Sequence, residues 1–156
     1  MKLQELISPA LTKAFFLGVL SAEKPLPFIK AAEELLSETP DALKEVEAEL
    51  KAIWDELVKN KPAELESFLL GSKDLKEYLT HVKDQLDYYL TALSLSGTNT
   101  ENCSNEDMAD LIDELEDTVM DLDEYLSEEK PDAEEGEELK EMLMETWLEY
   151  LKVALN

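Results

Sequence analysis

Carboxylate side chains occupy more than half of the positions in residues 113–138, where Lys130 is the only cation. Such a stretch could bind divalent cations, perform acid–base catalysis, imitate nucleic-acid phosphates or simply keep a helix in water. The acids from residue 105 to 127 include a set that repeats every three or four residues, which is the spacing of one helix face: Glu106, Asp110, Asp113, Asp117, Asp121 and Glu124. The spacing predicts an ordered amphipathic helix over 105–127 and argues against a disordered tail.

No specific metal site is predicted. Asp121-x-Asp123 begins like an EF-hand loop, but Tyr125 and Leu126 then stand where that loop needs an oxygen ligand and a glycine. A di-iron bundle needs Glu-x-x-His pairs, whereas the residue three before His81, the only histidine, is a tyrosine. We therefore expect no metal and no cofactor.

Catalytic residues are not expected either. The chain has one histidine, one cysteine and no arginine, and it contains no Gly-rich phosphate loop or nucleophile elbow. Cys103 lies in an acidic loop, which should raise its thiol pKa and reduce its reactivity. His81, between Leu79 and Val82, is interpreted as a boundary residue rather than a base. The sequence predicts that the protein is not an enzyme.

The charge is unevenly distributed along the 156 residues. The net charge is −24, and residues 101–156 hold 21 acids against 3 lysines, so the last third, from about 104 to 156, is strongly acidic. All 14 cations are lysines. Arginine is the usual bidentate reader of phosphate and guanine. Direct binding to nucleic acid or to an anionic membrane is therefore not expected.

The compartment is predicted from what the sequence lacks. A single cysteine allows no intramolecular disulfide, which favours a reducing cytosol. The N-terminus is unlike a signal peptide, because Glu5 and Lys13 interrupt it and the apolar run over 14–20 is short. No stretch approaches the roughly 20 apolar residues of a membrane-spanning helix. We expect a soluble cytoplasmic protein without membrane attachment.

The elements that must position these residues are predicted to be helices. Apolar residues repeat at helical spacing between proline, serine and glycine breaks, and no strand pattern is present. We predict an all-α domain over 1–156, an irregular bundle of about seven helices that begin near Pro9, Phe28, Thr39, Pro62, Ser72, Ser104 and Asp132. The predicted core includes Phe15, Trp54, Leu86, Leu115 and Trp147.

The carboxylate density leaves two interpretations open, of which nucleic-acid mimicry is the first. Residues 105–127 carry ten carboxylates over about 34 Å of helix, or about one per 3.4 Å, close to the phosphate spacing of one DNA strand. The last helix, lying antiparallel, would add a second acidic row over 132–149. The other interpretation is that acidic helices only solubilise the protein.

Most of the chain resembles the YecA/YgfB-like family of small, acidic, all-helical bacterial proteins. The resemblance is carried by AFFLGVLSAEKPLPF (14–28), ELKAIWDELVKN (49–60), LTHVKDQLDYYLTALSLSG (79–97) and the acidic and closing segments at 111–129 and 142–155. Asp87-Tyr88-Tyr89 stands where that family has a Trp and a Gly, and the cysteine-rich zinc tail of some members is missing. The resemblance implies a helical fold and a cytoplasmic location, without enzymatic activity or transferable site residues.

Two functions remain open. In the first, the carboxylate face over 105–127 and 132–149 docks on a basic partner, such as a DNA- or RNA-binding protein that it inhibits. In the second, the protein is a structural, assembly or chaperone-like factor that binds through an apolar groove, with Met142 or Met144 and Tyr150 exposed on the last helix. The acids would then serve only solubility.

Overall fold

The computed structural model describes residues 2–67 and 74–154, which fold into α-helices without any β-strand. The described residues form α1 (Pro9–Ser21), α2 (Phe28–Leu35), α3 (Leu43–Ser67), α4 (Leu75–Leu95), α5 (Glu106–Ser127) and α6 (Ala133–Ala154). Short 3₁₀ turns at Leu3–Glu5 and Pro40–Ala42 precede α1 and α3. The predicted all-α class is confirmed.

Side-chain caps fix several helix starts. The Ser8 hydroxyl accepts the Leu11 N–H at 3.2 Å, and Pro9 occupies the first helical position, as the sequence predicts. Asp74 caps α4 by accepting two backbone N–H groups. Asp132 accepts the Glu134 N–H at 2.9 Å where α6 begins. These caps satisfy N–H groups that have no partner within the helix.

The predicted third and fourth helices are two helical segments that meet at a kink inside α3, so the described residues contain six α-helices where about seven are predicted. Asn60 leaves helical geometry (φ −120°, ψ 24°), and Pro62 lies inside the same helix. A proline lacks an N–H and its ring crowds the carbonyl four residues back, so it kinks a helix or ends it. Here the chain bends and continues. The helix start predicted near Ser72 lies outside the described residues.

The sequence predicts a helix start near Ser104, and the residue that caps α5 is the next one. Asn105, not Ser104, accepts the Asp107 and Met108 N–H groups. The Ser104 hydroxyl and N–H instead donate to the Glu23 carboxylate at 2.6 and 2.9 Å. Ser104 thus ties the loop before α5 to the end of α1.

One hydrophobic core joins the helices, with α1 inside it. Every residue from Ala14 to Val19 is buried, because α1 packs against α2, α3 and α4. Two aromatic groups fill the core, one formed by Phe16, Phe28 and Trp54 and the other by Tyr89, Trp147 and Tyr150. The five predicted core residues, Phe15, Trp54, Leu86, Leu115 and Trp147, are all buried.

α4 contacts α1, α5 and α6, and α5 packs against α6. The turn between α5 and α6 is held by Tyr125, whose hydroxyl donates to the Asp132 carbonyl at 2.8 Å. On α6, Met142 and Leu148 are 49 % and 54 % exposed, because this helix turns only one side to α4 and α5.

Candidate partner-binding face

The six predicted carboxylates all lie exposed along one side of α5. We call this set the acidic face: Glu106, Asp110, Asp113, Asp117, Asp121 and Glu124. The opposite side of α5 is buried, with Leu115 and Leu122 fully enclosed. Burial of that apolar stripe fixes the rotation of α5, so the carboxylates must point to solvent.

The acidic face carries no salt bridge in the part of the chain that the structure describes. Lys83 of α4 forms a salt bridge with α5, but its ammonium lies 3.3 Å from Asp123, which is not part of the acidic face. Asp84 and Asp87 share the same ammonium at 4.0 and 3.7 Å. Lys83 is therefore already surrounded by carboxylates, and the acidic face keeps its negative charge.

A second acidic row on α6 lies beside the acidic face, as predicted. Asp121, Glu124 and Glu128 border an open groove of about 350 Å³, and Glu135 and Glu138 line its other side. At the far end of the pair, Asp110 and Glu149 line another groove together with Lys152. The start of α6 thus lies beside the end of α5, so the two helices run antiparallel.

His81 and Cys103 do not join the acidic face. His81 is exposed on α4, with Glu77 and Asp84 near it on the same helix. The half-buried Cys103 has its Sγ 3.7 Å from a Glu23 carboxylate oxygen. Burial, followed by the charge of Glu23, raises the pKa of the Cys103 thiol, which is the predicted direction.

The apolar site predicted on the last helix is wrong at Tyr150. This side chain is fully buried, and its hydroxyl lies 2.8 Å from the Tyr89 hydroxyl. Met144 is half-buried, with its sulfur 3.5 Å from the Tyr78 hydroxyl. Only Met142 of the three is exposed, so the predicted groove residues do not converge. Tyr150 completes the aromatic core because α6 turns it toward α4.

Sequence reasoning missed an open groove between α4 and α5. We call it the α4/α5 groove, with a volume of about 410 Å³. Leu90 and Val119 form its buried floor, and the exposed side chains Leu95 and Met120 border it. The available signal was Met120, an apolar residue among the acidic positions of α5 and outside its buried stripe.

Carboxylates also line the α4/α5 groove, namely Asp87 from α4 and Glu116 from α5. Partial burial raises the pKa of Asp87, although Lys83 opposes the shift. Partial burial raises the pKa of Glu116 as well, and the charges of Asp113 and Asp117 add to it. Both groups are therefore negative charges held partly out of water.

Across residues 2–67 and 74–154, no three His, Cys, Asp or Glu side chains come together in a way that could hold a metal ion. None of the helices in these ranges combines the length and the hydropathy needed to cross a bilayer.

No protein-family model matches the chain, and no curated protein or solved structure is significantly similar to it.

Proposed function

We propose that this protein is a non-enzymatic regulatory module whose acidic face, with the second acidic row on α6, docks on a basic protein. The partner is a DNA- or RNA-binding protein that the module inhibits by occupying its cationic surface. The observation that carries this proposal is the ordered row of six exposed carboxylates on α5, free of salt bridges within the described residues.

The order of the acidic face supports docking over simple solubilisation. A disordered acidic tail would have to lose conformational entropy on binding, whereas α5 is already folded and fixed by its buried side. A uniformly negative rigid surface also accelerates encounter with a basic partner and disfavours acidic ones. These properties suit reversible regulation by charge.

The geometry supports mimicry by two rows rather than one. Members of the acidic face repeat about every 5 Å along the axis, since they stand three or four residues apart. Phosphates of one DNA strand are closer, at about 3.4 Å. Packed helices have axes about 8–10 Å apart, which lies between the widths of the minor and major grooves, about 6 and 12 Å. The α6 row is therefore part of the proposed mimic.

The proposal extends to compartment and family. A regulator of a nucleic-acid-binding protein acts where that protein acts, so we place this chain in the bacterial cytoplasm, as its YecA/YgfB-like resemblance implies. The excess of carboxylates over lysines opposes direct contact with nucleic acid, and the partner is therefore a protein.

The test is a capture experiment with a matched charge control. Reversal of Asp110, Asp113, Asp117 and Asp121 to lysine should abolish capture of the basic partner from native lysate at low salt. The control reverses four exposed acids on α2 and α3, Glu33, Glu34, Glu45 and Glu47, and raises the net charge by the same amount. The control should capture the partner as the wild type does, and both variants should keep their far-UV circular dichroism.

Salt dependence measures the same contact. Docking through carboxylates should weaken steeply between about 50 and 200 mM salt, because exposed charge pairs are screened in this range. If the reversed acidic face still binds the captured partner with wild-type affinity, the acids serve only solubility and the proposal is wrong. Equal loss in the control variant would mean that net charge matters and the face does not.

A second candidate function is binding through an apolar groove, as an assembly or chaperone-like factor. It is favoured by one observation, the exposed Leu95 and Met120 beside the α4/α5 groove. Binding of this kind buries apolar surface and should change little between the same salt concentrations. The salt series thus separates purely apolar binding from docking through charge.

A further inference from the structure

We infer that the α4/α5 groove binds a basic amphipathic α-helix, whose apolar side chains contact Leu95 and Met120 and whose lysines or arginines meet Asp87 and Glu116. This inference rests on the proposed function in one respect, that the partner is basic. It adds the site on this protein and the kind of segment that the partner contributes.

The exposed apolar side chains beside the groove favour a partner with apolar side chains. Leu95 is 47 % exposed and Met120 is 66 % exposed, although Leu90 and Val119 directly beneath them are buried. Covering such side chains removes apolar surface from water, which favours binding. Methionine also adapts its unbranched side chain to irregular partners, so it suits a docking surface.

The shape of the groove favours a rod-like occupant. Lys83 of α4 lies next to Asp123 of α5, and Leu95 at the end of α4 lies near Glu116, so the two helices run antiparallel. The lining of the groove runs along α4 over residues 87–95 and along α5 over residues 116–120, so the groove follows the two helix axes. An α-helix laid along such a depression inserts side chains spaced three or four residues apart, which is a recurring mode of recognition.

Charge decides which helix fits. Asp87 and Glu116 line the groove, and Asp113 and Asp117 stand next to Glu116. α5 contains no lysine, and Lys83 of α4 is already shared by three carboxylates. An acidic or neutral helix would leave these carboxylates partly desolvated without a counter-charge, whereas lysines or arginines flanking the apolar anchors would pair with them.

A second copy of this chain is a poor occupant. Each copy carries a net charge of −24, and one side of the groove is formed by α5, which holds ten carboxylates and no lysine. Two such surfaces would repel at moderate ionic strength. A basic segment, in contrast, is attracted by the negative charge of this surface.

The probe is a pair of peptides of about 18 residues, a length that can form an isolated helix. Both contain the same leucines and lysines. One places leucines three and four residues apart to form an apolar stripe, and its scrambled isomer has no stripe. Fluorescence anisotropy measures the affinity of the wild-type protein for each, and the methyl NMR signal of Met120 reports the site of contact.

The matched variants are Leu95→Ser with Met120→Ser in the groove, and Leu148→Ser with Met142→Ser on α6, where exposure is similar. Wild type should bind the striped peptide about tenfold more tightly than the scrambled one, the effect of covering roughly one apolar side chain. The groove variant should lose this preference and still bind both isomers through charge. The α6 variant should keep it.

Each alternative result overturns the inference. Equal wild-type affinity for both isomers, or a preference that survives in the groove variant, would mean that the groove does not recognise an apolar stripe. A preference lost only in the α6 variant would assign the contact to α6. Sedimentation equilibrium showing a dimer that the groove variant dissociates would assign the groove to a second copy.

Failure of the proposed function and failure of the groove inference give different results. If only the proposed function is wrong, the four lysine reversals on the acidic face leave capture of the native partner unchanged, while the wild-type protein still binds the striped peptide more tightly than the scrambled one. If the groove inference alone fails, both isomers bind equally and the reversals still abolish capture. The two tests therefore fail independently.

Discussion

α4 packs very differently against its two neighbours α1 and α5. Toward α1 the helices approach to backbone contact, because a Cβ built on Gly18 would overlap the Tyr89 carbonyl oxygen and crowd the Ala92 side chain. Toward α5 the two helices also pack, but an open groove of about 410 Å³ remains at the surface of the contact, bordered by Leu95 and Met120. One helix thus has a closed side and an open side.

Residue size and charge explain this difference. Small residues let helix backbones meet, and Gly18 with Ala92 provides them on the closed side. On the open side, most of the residues that line the groove have larger aliphatic or carboxylate side chains, and the charges of Asp87 and Glu116 must stay near water. A closed contact contributes stability, whereas an open one leaves surface for a partner.

The largest predicted effect comes from closing the space at Gly18. In Gly18→Ala, the new methyl must displace the Tyr89 backbone, an overpacking effect that typically costs 1–3 kcal/mol. Alanine is about 1 kcal/mol better than glycine inside a helix, which offsets part of this cost. Because the overlap at Gly18 is severe, we take about 3 kcal/mol for the overpacking and subtract the gain of about 1 kcal/mol in helix propensity. The free energy of unfolding should therefore fall by about 2 kcal/mol. Urea titration followed by circular dichroism measures this loss.

Gly97→Ala is the matched control for this substitution. Gly97 has a positive φ of 88°, and nothing lies within 4 Å of a Cβ built there. Its cost, about 1 kcal/mol, therefore comes from backbone strain alone. Greater stability in Gly18→Ala than in wild type would show that α1 and α4 can separate, and the closed side would then be no different from the open one.

A smaller effect is expected from Lys83, the cation between α4 and α5. Desolvation lowers the pKa of Lys83, but Asp123, Asp87 and Asp84 outweigh it and raise the pKa above 10.5. The folded state thus favours the charged amine, and this stabilisation is present below pH 10.5 and is lost as the pH rises through the folded pKa. Lys83→Met should reduce the free energy of unfolding by about 1 kcal/mol at pH 7 and low salt.

Lys51→Met is the comparison for Lys83. Lys51 pairs with Asp55 at 2.9 Å within α3, where both side chains are more than half exposed. Such pairs within one helix contribute about 0.5 kcal/mol or less. If both variants lose the same stability, Lys83 does not hold the open side together.

The sequence predicts the closed side better than the open side. The buried run over 14–19 of α1 follows from its apolar residues, and the acidic face follows from the helical period alone. The α4/α5 groove does not, because its width depends on how far apart two helices pack. Met120 stands out from its acidic neighbours in the sequence, but its partner Leu95 is 25 residues earlier and only the fold brings them together.

The errors at helix ends have the same tertiary origin. Ser104 and Asn105 are both good caps, and the choice depends on Glu23, 81 residues away from Ser104, which takes the serine hydroxyl. Pro62 predicts a break, and the structure has a kink there within α3. Leu57 and Leu65, on either side of the kink, are both fully buried, so tertiary packing holds both segments in place. Local sequence favours a kink and a cap without specifying the outcome.

The smallest predicted effect concerns Glu116 on the open side. Because its pKa is raised, the folded state favours the protonated form, and the resulting stability is present below pH 4.5 and is lost as the pH rises through the folded pKa. At pH 7 the charged Glu116 therefore destabilises the fold slightly. Glu116 is exposed, so solvent screening limits the effect, and Glu116→Gln should increase the free energy of unfolding by about 0.3 kcal/mol.

Glu23 is the matched comparison, because its pKa is shifted in the opposite direction to that of Glu116. Hydrogen bonds from the Ser104 side chain and backbone lower the pKa of Glu23, so its stabilisation is present above pH 4.5 and is lost as the pH falls through the folded pKa. Glu23→Gln should therefore destabilise the protein at pH 7, where Glu116→Gln stabilises it. Urea titrations at decreasing pH should show the Glu116→Gln difference shrinking first, because the pKa of Glu116 is raised, and the Glu23→Gln difference shrinking at lower pH, because the pKa of Glu23 is lowered. If Glu23→Gln instead stabilises the protein, the reduction of the net charge of −24 outweighs the loss of the local hydrogen bonds. The stability gained in Glu116→Gln would then also come from the reduced net charge, and it would say nothing about the burial of Glu116 in the groove.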